Sequence, residues 1–176
     1  FLDLLRRRRS VRRFSDRAVE TEKVSLLMEA ALRSPSSRGL NPWSFVIVDD
    51  RSLLQKLAQA KPHGAAFLAT APLGIVVAAD PERCDVWIED TAIATILVQL
   101  AAESIGLGSC WIQIRKRRHG DGGDAGDWVR QLLDIPQHLE VESMIAVGYP
   151  DQKPPPHSAD SLLKDRVHVN RYGSRA

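Results

Sequence analysis

The sequence predicts an α/β sandwich, a central sheet flanked by helices, from three observations. Four short apolar runs, at residues 45–48, 73–79, 108–112 and 143–147, have the length and composition of buried strands. Between them lie segments whose apolar residues recur every three or four positions, the period of a helix face. At 176 residues the chain has the size of one domain, which buries roughly 70% of its unfolded surface. Residues 1–176 are therefore read as a single domain with a C-terminal extension from about residue 151.

Phe1, Leu2, Leu4 and Leu5 mark one side of a short helix running into Arg6, Arg7, Arg8 and Arg9, after which residues 10–14 read as an extended turn. Thr21 is the candidate cap of a second helix, in which Val24, Leu27, Met28, Ala31 and Leu32 share a face and which Pro35 ends. A loop over residues 34–42 leads to the first strand, bounded by Asp49 and Asp50. Leu53, Leu54, Leu57 and Ala58 then suggest a helix. After the second strand, a helix over residues 89–105 places Ile93, Ile96, Leu97, Leu100 and Ser104 on one face, and its many alanines allow close packing on several sides. The third strand, a polar Gly/Asp-rich excursion at 119–127, a helix at 128–133 and the fourth strand follow. Lys153-Pro154-Pro155-Pro156 is too stiff and too poor in amide donors for a helix or a central strand. Val167-His168-Val169 reads as a short strand suited to leaving the domain and joining a partner.

With 24 basic and 22 acidic residues, the chain lacks the positive excess of a general nucleic-acid binder. No apolar run approaches the roughly 18 residues of a membrane helix. The first residues lack the apolar stretch and cleavage site of a secretory signal, and Cys84 and Cys110 make neither a disulfide framework nor a zinc motif. The expectation is a soluble, cytoplasmic protein. His63, His119, His138, His157 and His168 are scattered without ligand spacing, so no metal is expected. Asp121, Asp124 and Asp127 lack the alternating ligands and closing Glu of a calcium loop and read as solvated.

Three segments carry candidate chemistry. Arg8, Ser10 and Arg12 alternate along an extended segment, so two guanidinium forks and a hydroxyl can converge on one phosphate; a solvated helix end explains the charge equally well. The loop Ser34-Pro35-Ser36-Ser37-Arg38-Gly39-Leu40-Asn41-Pro42-Trp43 either caps a helix or offers hydroxyls and amides to a polar ring edge or phosphate. Gly106-Leu107-Gly108-Ser109-Cys110-Trp111-Ile112-Gln113 enters a strand from a helix, which with its missing third glycine excludes a dinucleotide fingerprint. Its glycines serve either a helix end or the approach of backbone to a flat ligand, whose face Trp111 and Ile112 would line. Cys110 reads as a thiol nucleophile without a visible base, or as a small buried residue.

Arg-Arg-Ser-x-Arg-x-Phe from Arg8 to Phe14, Pro-Ser-Ser followed by Pro-Trp, the Gly-Leu-Gly-Ser-Cys-Trp-Ile segment and Gly148-Tyr149-Pro150 together resemble the nitroreductase family of FMN flavoproteins, in order and approximate spacing along nearly the whole chain. The resemblance implies a mainly antiparallel sheet and a homodimer with one FMN in each of two interface clefts. Arg8, Ser10 and Arg12 would hold the FMN phosphate, with Arg9 contributing its backbone. Pro35, Ser36 and Ser37 would reach the flavin of the other subunit, and Ile112 and Gln113 would lie where the family places backbone near N5 of the ring, with Trp111 beside them. No dedicated catalytic residue is implied, because the flavin carries the hydride. NADH or NADPH would be the reductant, and a nitroaromatic, quinone or similar small molecule the acceptor, in ping-pong order. Gly39 stands where the family often has an Asn, which leaves Asn41 as the candidate substitute; where relatives add a tail cation, this chain reads His157-Ser158-Ala159-Asp160-Ser161, with Lys164 and Arg166 beyond. Dehalogenation, heterocycle oxidation, flavin breakdown and non-catalytic flavin binding are the alternatives on the same scaffold.

Overall fold

In the computed structural model, which describes residues 1–174, the four apolar runs form strands of one sheet. They are β1 (Trp43–Val48), β2 (Leu73–Ala79), β3 (Gly108–Gln113) and β4 (Glu140–Gly148), in the order β1-β2-β4-β3 with every neighbour antiparallel. The helices are α1 (Leu2–Arg7), α2 (Thr21–Leu32), α3 (Arg51–Leu57), α4 (Trp87–Ser104) and α5 (Ala125–Leu132). Side chains alternate across the pleat. Val48, Val76, Ala78, Ile112 and Met144 therefore pack with Leu54, Leu57 and Val129, whereas Ile75, Val77, Ile145 and Val147 pack with Leu27, Ala31 and Val98. The result is a sandwich with helices on both faces of an antiparallel sheet. No helix among the described residues is long and apolar enough to cross a membrane.

Local details depart from the sequence reading for identifiable reasons. Thr21 is the first helical residue of α2; Glu20 holds the cap position without a side-chain cap bond. Its carboxylate is instead engaged by the Tyr149 hydroxyl at 2.6 Å and by Arg17 at 2.5 Å. The start of α5 falls inside the polar excursion, because Asp124 caps it by accepting from Gly126 N at 2.8 Å and Asp127 N at 3.1 Å. On α4 the expected apolar stripe does not face the sheet: Ile93 and Ile96 are 39% and 38% exposed, while Thr91, Ala94, Thr95, Val98 and Ala102 are buried. The helix is apolar on two sides, and smaller residues pack closest to the strands.

After Pro150 the chain makes only two 3-10 turns, Ala159–Ser161 and Lys164–Arg166. The strand expected at residues 167–169 does not form among the described residues. Val169 N donates to Ser174 O at 2.9 Å and Arg171 N to Val169 O at 2.7 Å, which closes a turn. An extended segment needs a neighbour for its amides. Leu162, Leu163, Val167 and Tyr172 of this tail are exposed.

Candidate functional site

The basic segment is fastened to the sheet at both ends. Ser10 bridges Ser109 in parallel, with Val11 N donating to Ser109 O at 3.0 Å, and Phe14 bridges Pro150. Between these points the chain is extended, so successive side chains leave on opposite sides. Arg7, Arg9 and Val11 line a groove of about 470 Å³ with Glu103, Leu107 and Lys153. By the same alternation Arg8, Ser10 and Arg12 leave on the other side. No carboxylate among the described residues pairs with Arg8 or Arg12. Arg12 also stands 5.8 Å over the Phe67 ring, a cation–π distance that orients its guanidinium.

Cys110 itself is buried beneath the arginines. Burial pushes its thiol up, against the opposing pull of Arg12, Ser10, Arg8 and Lys61. A thiol held protonated is a poor nucleophile, so its packing role is the one the structure favours. Lys61, which no motif marks, lies on the turn after α3, and its ammonium is pulled down first by burial and then by Arg117.

The two glycines ahead of β3 have structural tasks. Gly106, with φ +79°, ends α4 in the left-handed conformation, and Leu107 N reaches back to Ala102 O at 2.8 Å. Gly108 admits the basic segment: a Cβ there would stand 2.8 Å from Val11 Cγ2 and 2.9 Å from Val11 Cβ. The glycines thus bring protein backbone close, and neither is left over for a flat ligand. At the far end of β3, Trp111 Nε1 donates to Gln113 Oε1 at 3.1 Å and Gln113 Nε2 donates to Arg115 O at 3.2 Å, which fixes the Gln113 amide; Ile112 points into the core. Behind them lies Glu142, at the β4 bulge opposite Val77 and Ala78, 3% exposed and with Oε2 unpaired. Burial pushes its carboxyl up, against Ser143, Arg115 and Gln113.

The Pro35–Asn41 stretch is rigid without being regular. Arg38, Gly39 and Asn41 all have positive φ, at 54°, 65° and 47°. Ser36 Oγ donates to Asn41 Oδ1 at 2.7 Å and accepts from Asn41 N at 2.9 Å, so both residues are tied within the loop. The Ser37 amide is not free: it donates at 2.9 Å to Asp90 Oδ1 of α4, a carboxylate only 3% exposed whose Oδ2 accepts from Cys84 Sγ at 3.3 Å. Asp90 was not legible as part of the site because it reads as an ordinary acidic residue in a first helical turn. The loop enters β1, and Ser10 pairs with β3; these are the two edge strands, about 14 Å apart at the usual strand spacing. One chain therefore does not bring its Pro-Ser-Ser loop and its basic segment together at a shared edge.

Comparison with known proteins gives consistent results. The Nitroreductase family pattern matches residues 5–61 and 55–149. An FMN-dependent nitroreductase from Clostridium difficile R20291 superimposes with a TM-score of 0.96 at 42% identity, covering 98% of this chain and 100% of that one. An Archaeoglobus fulgidus protein named for NADH dehydrogenase/NAD(P)H nitroreductase activity is 34% identical over 97% of this chain and 98% of its own length. The iodotyrosine deiodinase of Haliscomenobacter hydrossis is 35% identical over 81% of this chain and 76% of its own. With the antiparallel sandwich, the clamped basic segment and these matches, the chain belongs to the nitroreductase family.

Proposed function

We propose that this chain is an FMN-dependent oxidoreductase. The observation that carries the reading is the clamped extended segment: alternation along it sets Arg8, Ser10 and Arg12 to one side, and neither arginine has a carboxylate of its own among the described residues. Two guanidinium forks and a hydroxyl suit the oxygens of a single phosphate, so the residues present fit the phosphate of FMN. FMN held there would supply hydride-transfer chemistry, with NADH or NADPH as reductant and a nitroaromatic, quinone or similar small molecule as acceptor in ping-pong order.

The chain's own residues hold and orient. Arg8, Ser10 and Arg12 neutralise the phosphate, with the Arg9 backbone beside it, and Trp111, Ile112 and Gln113 present the β3 end to the ring. Pro35, Ser36, Ser37, Gly39 and Asn41 serve the flavin of a second copy. That assignment is supported by their place on the opposite edge strand and by the apolar surface that one chain leaves uncovered: Phe1, Leu2 and Leu5 on α1, Leu26 and Leu32 on α2, Ile93 and Ile96 on α4. A homodimer of single FMN-binding domains, the tail of each lying on its partner, accounts for this surface. Two free buried cysteines suit the cytoplasm.

The direct experiment is to load the purified protein with FMN and add NADH or NADPH without oxygen. Bleaching near 450 nm that an added quinone or nitroaromatic reverses is the expected result. Flavin that neither nucleotide reduces would leave a binding protein only. Reductive dehalogenation is a second reading, favoured by the 35% identity to the deiodinase; iodide release from iodotyrosine by the reduced protein separates the two.

A further inference from the structure

Alternation along the basic segment divides its arginines between two faces, and the face turned away from Arg8, Ser10 and Arg12 opens into the groove of about 470 Å³. Val11 and Leu107 form its apolar floor, and Pro150, Pro154 and Pro156 of the tail wall it. The backbone amides of Val11 and Leu107 are already taken, by Ser109 O at 3.0 Å and by Ala102 O at 2.8 Å. Neither residue offers an occupant an amide donor; both offer apolar contact. Gly106 lines the groove as well, and a Cβ there would meet nothing within 4 Å, so the space beside the floor is open.

Arg7, Arg9 and Lys153 line the same groove with a single carboxylate, that of Glu103, which stands 3.8 Å from Arg7. Three cations against one anion leave a positive surplus that an anionic occupant balances. The walls are tied to each other: Phe14 bridges Pro150, Asp151 N donates to Arg13 O at 2.9 Å, and Arg13 meets the Asp151 carboxylate at 3.3 Å. A preformed cleft of a few hundred Å³, with an apolar lining and a few charged groups, is the usual form of a small-molecule site. Inorganic phosphate would satisfy the cations and leave the apolar lining wet. A neutral hydrocarbon would do the reverse.

We propose that this groove binds an amphipathic organic carboxylate, whose apolar body lies on Val11, Leu107 and the tail prolines and whose carboxylate is held by the cations of the lining. The groove lies on the far face of the segment from Arg8, Ser10 and Arg12, so the inference stands independently of the FMN reading. The shared chemistry is an apolar body ending in one carboxylate, and its source is either an aromatic acid or a fatty acid.

Calorimetry on the full chain, with and without saturating FMN, compares 2-naphthoate, decanoate, the neutral alcohol 2-naphthalenemethanol and inorganic phosphate. Amide chemical shifts of residues 106–108 and 152–153 locate the binding. The expected result is that at least one carboxylate binds about tenfold or more tightly than both controls, because the alcohol lacks the charge-assisted bond and phosphate lacks the apolar body. Lys153→Gln or Arg7→Gln should weaken the carboxylate about tenfold and leave the alcohol unchanged; both side chains are exposed, so neither change disturbs the core. A preference for 2-naphthoate assigns aromatic acids, and one for decanoate assigns fatty acids. Absence of binding, equal affinity for acid and alcohol, or shifts confined to other residues overturns the proposal. So does displacement of the carboxylate by FMN, which would place it at Arg8 and Arg12. Affinity that weakens as the protein dimerises with rising concentration, followed by sedimentation, would give the groove to a second copy and also overturn it.

Discussion

Gly108→Ala is the substitution that most sharply separates a clamped basic segment from a merely exposed one. The added Cβ would meet Val11 Cγ2 at 2.8 Å, Cβ at 2.9 Å and Cγ1 at 3.0 Å. Rotating the Val11 side chain cannot relieve this, because its Cβ is fixed by the backbone. The backbone of residues 10–12 must therefore move, which strains the 3.0 Å bond from Val11 N to Ser109 O. Overpacking costs about 1–3 kcal/mol and the hydrogen bond about 1 kcal/mol, for a total of roughly 2–4 kcal/mol. For a domain of this size that lowers Tm by roughly 4–16 °C. Ser10 and Arg12 move with Val11, so FMN affinity should fall as well. Gly106→Ala is the control: nothing lies within 4 Å of its Cβ, so it carries the strain of φ +79° and leaves the basic segment in place. Melting curves and FMN fluorescence quenching measure both effects. A Gly108→Ala protein with unchanged Tm and unchanged FMN affinity would refute the clamp.

Three further outcomes follow from named contacts. Asp90→Ala removes the acceptor of the Ser37 amide, leaves that donor to find water and should weaken FMN binding; Asp90→Asn keeps an acceptor at Oδ1 and should retain most of it, as flavin titration would show. The Glu20 carboxyl is held down to about 2, first by the Tyr149 hydroxyl, so its stabilising contribution is present above the ordinary value of 4.5 and disappears as pH falls through about 2. Tyr149→Phe removes that first cause, and its melts between those pH values should change less than the wild type's. The Glu142 carboxyl is pushed up by burial, so its contribution is favourable below the ordinary range and is lost as pH rises through the elevated value. Glu142→Gln should therefore gain stability relative to wild type at pH 8 and not at pH 4, in paired thermal melts.

Strands were legible where burial on both faces leaves a continuous apolar run. Leu73–Ala79 is bounded as its sequence reads, because every one of its residues is buried. Glu140–Gly148 begins three residues earlier than its apolar run, since Glu140 and Glu142 read as polar loop while the second of them is enclosed at a bulge. The apolar face of α4 was legible, but periodicity does not say what covers it: Leu100 is buried, whereas Ile93 and Ile96 are exposed. The extended course of residues 10–14, which bridges β3 at Ser10 and Pro150 at Phe14, was legible. Asp90 was not legible, because it meets the loop only through its contact with the Ser37 amide, 53 positions away in the chain, and carries no motif of its own. The tail strand is a related case: three β-prone residues form a strand only when another supplies the pairing edge.

The central claim, that the clamped arginines hold the phosphate of FMN, is tested most directly by titrating FMN, and separately riboflavin, into wild-type and Arg12→Ala proteins. The account predicts that wild-type protein binds FMN far more tightly than riboflavin. Arg12→Ala should lose about tenfold to a hundredfold in FMN affinity, the equivalent of a charge-assisted bond of about 1.5–3 kcal/mol, with little change for riboflavin. Equal affinity for the two flavins, or an Arg12→Ala protein that binds FMN as wild type does, would contradict it.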